Sequence, residues 1–217
     1  MGEDVRVEQD RHHPRRPTLL GKTALETFGG APDPAALAEA AHQTATLLVA
    51  SGRATTDEAA RRRLVCLVDE VGLDTIADLW AARPPRSLPG ALWRLYVLRE
   101  WVVRDAAGAA HDFAAGRGAA PVAHVIAGAA EPPTPEALAA LLDEVLHGVF
   151  AGDLAVALER AGAFSRVVVA GRVHRADDVE PVDPGAADAL TRSSSALLGT
   201  AEDLEAAASL WRSGELV

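Results

Sequence analysis

Two arginines set inside apolar helical stripes are the residues of this chain whose type and spacing could do chemistry. Between Ser87 and Asp105 the chain reads SLPGALWRLYVLREWVVRD. A helical rotation of about 100° per residue gathers Leu88, Leu92, Leu95, Tyr96, Val102 and Val103 on one face, with Arg99 near its middle. A guanidinium keeps its proton, and burying it unpaired is costly. Arg99 must therefore meet a carboxylate, reach water or hold an anion. Further on, in the helix expected from Asp153, Arg172 falls at the angle of Leu154, with Ser165 beside it. Two chemistries follow. One is an inter-helix pocket for a small anion, with Arg99 and Arg172 as charge partners, Trp93, Tyr96 and Phe164 as walls, and Ser165 within reach. The other is structural: each arginine is answered by a carboxylate such as Asp69, Glu70, Asp177 or Asp178, or snorkels to an edge.

Other constellations are weaker. Glu39/His42 and Glu144/His147 have the Glu-x-x-His spacing of helical di-iron proteins, but both pairs fall opposite their own apolar stripes, where solvated helix faces are expected. His111-Asp112 has the form of the metal-binding dipeptide of all-helical phosphohydrolases, yet AGAAHDFAAGRG matches that family no further. Ser193, Ser194 and Ser195 have no positioned histidine and read as small packing residues. There is no phosphate-binding glycine loop, nucleophile elbow or zinc spacing, and the single Cys66 allows no internal disulfide. The reading assigns no metal and no cofactor.

Composition narrows the classes. Of 217 residues, 49% are hydrophobic, but alanine dominates that set, and there is one tyrosine. Alanine favours helix and buries little area, so stability must depend on close helix approach and a few large residues. The net charge of −10 argues against a general nucleic-acid surface. Arg61, Arg62 and Arg63 form a local basic run, and every basic residue except Lys22 is arginine, a bias typical of GC-rich bacterial genomes. No apolar run is long enough to span a bilayer and the first residues lack an apolar signal core, so a cytoplasmic, non-membrane protein is expected.

The elements that must position the arginines read as an all-α, compact bundle of about seven to eight helices. Residues 1–17 read as a flexible tail and 18–217 as one helical domain, with 116–133 the place for any subdomain break. Helices are expected at 18–28, from Asp33-Pro34 to Gly52, from Thr56 or Asp57 to Val71, and from Asp74 to Ala82. The Trp-rich helix should run unbroken from Pro89 to about Ala115, with a turn or two near Val122–Ala127. Thr134-Pro135 opens another helix, Asp153 caps a long one to about Arg175, and a last one follows Pro184. The Trp-rich segment and the long helix should form the centre, with Trp80, Trp93, Trp101 and Trp211 supplying much of its bulk.

The leading expectation is a non-enzymatic module that binds partner helices, itself included as a homodimer. The alternative is the anion-binding module built on Arg99 and Arg172. A helical transcriptional regulator and a metal-dependent hydrolase rank below both. The helix-turn-helix-like stretch Thr56–Leu98 ends in an apolar helix poor in base-reading side chains.

Overall fold

A computed structural model describes residues 33–129 and 133–217, so the expected tail and the 18–28 helix lie outside the described residues. Pro34–Val217 form one contact unit. Ten α-helices occur among the described residues: α1 Pro34–Ala54, α2 Glu58–Val65, α3 Leu67–Val71, α4 Leu73–Trp80, α5 Leu88–Arg104, α6 Ala106–Gly116, α7 Pro121–Ala127, α8 Pro135–Ala151, α9 Leu154–Val179 and α10 Pro184–Ser213. The all-helical architecture holds, but seven to eight was too few.

Two breaks account for most of the difference. At Cys66 the backbone leaves α geometry (φ −90°, ψ 19°), dividing the helix expected at 56–71. At Asp105 (φ −130°, ψ 55°) the Trp-rich helix stops, and the same residue starts α6 by accepting a hydrogen bond from the Gly108 amide at 3.1 Å. A Cβ on Gly108 would sit 2.6 Å from that oxygen and 2.3 Å from the other oxygen of the same carboxylate. The Asp105–Gly108 pair thus recaps the chain and re-aims it, as an N-cap does at any helix start.

The remaining starts follow local chemistry. Asp57, Ser87, Thr134, Asp153 and Asp183 each cap a helix through the side-chain oxygen, and proline occupies the first turn of α5, α8 and α10. Gly72 (φ 84°), between α3 and α4, has a left-handed backbone that glycine adopts without strain.

Helix α9 is the hub. It packs against α10 along most of its length, antiparallel, and also against α5, α6, α7 and α8. Its buried face runs from Leu154 through Leu158, Phe164 and Val168 to Ala176. Helix α8 adds Leu138, Leu142, Leu146 and Phe150, all fully enclosed. The Trp-rich helix is only partly interior: Val97 and Val103 are exposed, Trp93 and Trp101 are half-buried, and among the tryptophans only Trp80 is fully buried.

Two glycines set the closest helix approach where α6 crosses α9. A Cβ on Gly116 would lie 1.8 Å from the Val167 carbonyl oxygen, and one on Gly171 would lie 1.8 Å from the Asp112 carbonyl oxygen. Backbone meets backbone there, so no side chain fits and nothing flexible can yield. Gly171→Ala should cost about 1–3 kcal/mol or more through this overlap, although alanine is the better helix former. Urea unfolding measures it, and a variant as stable as the parent would contradict the crossing.

Candidate functional site

The bundle separates the two arginines on which the sequence reading centred. Arg99 lies with its side chain 7% exposed, donating Nε to Asp143 Oδ1 at 2.6 Å and its terminal nitrogens to Asp69 at 3.3 and 3.2 Å. Asp69 comes from α3 and Asp143 from α8, so one guanidinium ties three helices together. Its second terminal nitrogen also approaches Cys66 Sγ at 3.7 Å. Burial works against the Arg99 charge, but the hydrogen bonds to Asp143 and Asp69 outweigh it and hold the proton more tightly than usual. Two carboxylates, each about half exposed, serve one cation here, so the cluster carries no spare positive charge.

The break at Cys66 belongs to the same cluster. It turns Asp69 toward Arg99, and Tyr96 donates its hydroxyl to the Leu64 carbonyl at 2.5 Å. Tyr96 is fully enclosed and packs on Trp80 with ring centroids 6.3 Å apart. Burial raises the Tyr96 hydroxyl far above its ordinary range, and burial likewise raises the Cys66 thiol.

Arg172 belongs to a second cluster of opposite stoichiometry. Its Nε donates to Asp112 Oδ2 at 2.9 Å, and Arg175 donates to the other oxygen of the same carboxylate. Asp112 is buried, and the Arg172 guanidinium carbon stands 4.7 Å from the Trp101 ring centroid. Among the described residues, the terminal nitrogens of Arg172 donate to no protein acceptor.

Beside this cluster, α5 and α10 stand apart over an open cavity of about 390 Å³. Trp93, Val97 and Trp101, at i, i+4 and i+8, form one wall with Arg94 and Leu98. Ser193, Ala196, Leu197 and Thr200 form the other, and Arg172 closes one end. The gap follows from residue size, because three of those four α10 residues are too small to reach the indoles. At the far end, Arg94 meets Asp203 at 3.3 Å, and Arg86 meets the same carboxylate at 3.2 Å. Ser193 and Thr200 turn their hydroxyls onto carbonyls of their own helix, so the guanidiniums are the cationic donors at this wall.

Of the six residues named from sequence, the structure brings Trp93 and Arg172 into one cavity. Arg99 and Tyr96 lie in the α3–α8 cluster. Phe164 stacks on Phe113 at 5.4 Å inside the core, and Ser165 is buried with its hydroxyl on the Ala161 carbonyl. Trp101 was expected only as core bulk and Asp112 only as half of a His-Asp dipeptide, and Arg94 and Asp203 were missed. Arg94 recurs one heptad before Trp101, and that spacing was the available signal. The Glu-x-x-His pairs diverge: Glu144 binds Arg160 at 2.8 Å, His147 faces Glu58 at 3.1 Å, and Glu39 accepts from Gln43. His111 is exposed, whereas Asp112 points inward.

Among the described residues, no group of three or more His, Cys, Asp or Glu side chains could hold a metal ion, and no helix is long and apolar enough to cross a membrane. No family model, curated protein or solved structure matches the chain.

The Tyr96 environment gives a pH dependence of defined sign. An acid whose ionisation is raised by folding keeps its proton in the native state after the unfolded chain has lost it. Stability should therefore be intact below the ordinary tyrosine value of 10.0 and fall as pH rises above it, by up to about 1.4 kcal/mol per pH unit. Cys66 adds a loss of the same sign from its ordinary value of 9.0. Tyr96→Phe should cost about 1 kcal/mol at neutral pH and flatten the alkaline slope, leaving the Cys66 share. Denaturant titrations on both sides of the tyrosine value measure this, and an unchanged slope would contradict the buried hydroxyl.

Proposed function

We propose that this chain is a binding module, not an enzyme, and that its site is the cavity between α5 and α10, taking a small organic anion with an apolar body. The observation that carries this reading is the unequal sharing of carboxylates. Asp112 is divided between Arg172 and Arg175, and Asp203 between Arg86 and Arg94. Each trio keeps one positive charge in excess, and both excesses border a cavity otherwise walled by indole and aliphatic groups. Glu100, on the same helix, is taken up by Arg104 at 2.5 Å. In a chain of net charge −10, two cationic trios at one apolar cavity favour an anionic occupant. The cavity volume falls in the range of small-molecule sites.

A thermal-shift screen of small organic anions tests this, with Ala196→Trp as the control. Ala196 lines the mouth and is exposed, so a large side chain there should fill the cavity without disturbing the core. A ligand at about 100 times its dissociation constant should stabilise the parent by about 2.7 kcal/mol, raising Tm by roughly 5–10 °C. The shift should vanish in the variant. An equal shift in both proteins would place binding elsewhere.

Self-association is a second reading, and α7 favours it. Val122 and Val125 are 73% and 77% exposed on that helix, and Ile126 is 48% exposed. Three large aliphatic side chains on one short exposed helix resemble the centre of a contact surface. Light scattering over a range of concentrations should then show a dimer that Val125→Glu disrupts. A parent that stays monomeric at every concentration would remove this reading.

A further inference from the structure

The two cationic ends of the α5–α10 cavity are separated by a measurable stretch of helix, and that separation constrains the occupant. Arg94 and Trp101, the residue that Arg172 covers, are seven positions apart on α5, roughly 10 Å along the axis. Between them the walls are aliphatic: Val97 and Leu98 on one side, Ala196 and Leu197 on the other. At one end Arg172 keeps its terminal nitrogens free of protein acceptors among the described residues, with Asp112 engaged at Nε and by Arg175. At the other end Arg94 shares Asp203 with Arg86, meeting it at 3.3 Å through one terminal nitrogen while the other donates to the Gly90 carbonyl at 3.1 Å. A ligand with one anionic group would satisfy one end and leave the other cationic trio facing an apolar ligand surface.

We propose that the occupant is an elongated dianion, an apolar chain or linker with an anionic oxygen group at each end, one facing Arg94 and the other Arg172. This rests on the binding reading above and narrows it. An aliphatic middle suits a methylene chain or a flat ring, and two terminal carboxylate-type groups suit the two guanidiniums. A short dianion cannot reach both ends, so affinity should depend on length as well as on charge.

The experiment is a calorimetric titration of the full chain with octanoate, suberate and succinate, which separate charge from length. Suberate should bind at least about tenfold more tightly than octanoate, and succinate should bind more weakly than suberate. Arg94→Gln and Arg172→Gln should each reduce suberate to the affinity of octanoate, and Ala196→Trp should abolish binding of both. If Arg172→Gln does not fold, Arg94→Gln alone reads the outcome, because its side chain lies at the cavity rim and not in the core. Equal affinity for octanoate and suberate would overturn the dianion while leaving an anion-binding cavity in place. No binding of any of the three to the parent would overturn both.

Discussion

The ratio of guanidiniums to carboxylates organises this bundle. Arginine cannot give up its proton when helices close over it, so each interior arginine has to be matched by acids from another element. Around Arg99 the match is generous, with Asp69 and Asp143 on either side, and three helices are fixed at one point. Around Asp112 and Asp203 it is reversed, with two arginines drawing on one acid. The same residue type thus serves as a fastener in one place and leaves residual charge in another. Counting partners distinguishes the two uses where burial does not, since Arg99 and Arg172 are both largely enclosed.

The fold allows this because alanine and glycine let helices approach closely. At the α6–α9 crossing, Gly116 and Gly171 bring two backbones together, which delivers Asp112 from α6 to the arginines of α9. Where α10 faces α5, small residues have the opposite effect. The indoles of Trp93 and Trp101 fix the far wall, and Ser193, Ala196 and Thr200 leave the space unfilled. Small side chains close one interface and open another, depending on whether glycine or a large aromatic group stands opposite.

Much of the helical layout was legible in the sequence because its signals are local. Asp57, Ser87 with Pro89, Thr134 with Pro135, and Asp153 each announce a helix start through groups a few residues apart, and the structure uses each as a cap or first turn. The breaks at Cys66 and Asp105 were not read, because periodicity continues across both. Phe113 keeps the helical phase of Leu95 across the second break, although Asp105 is of a residue type that caps helices. Partners across the bundle were less accessible. Asp69 stood among the acids expected for Arg99, whereas Asp143 lies 44 residues away on a helix whose orientation the pattern does not fix. For Arg172 the partner is none of the four acids expected from sequence, and the structure supplies Asp112 from the neighbouring helix. Arg94 lies on a different face of α5 from Arg99, outside the apolar stripe, where an arginine carries no sequence signal of its own.

If partner ratio is what separates fastener from site, then removing charge from the shared acid should strengthen the site. The most direct measurement is the affinity for suberate of Asp203→Asn compared with the parent protein. Asparagine keeps one oxygen acceptor, enough for Arg86 or Arg94 but not for both, and withdraws the negative charge between them. The account predicts binding several-fold tighter in the variant, at unchanged stoichiometry. Affinity that stays the same or weakens would contradict the claim that surplus guanidinium charge defines the cavity.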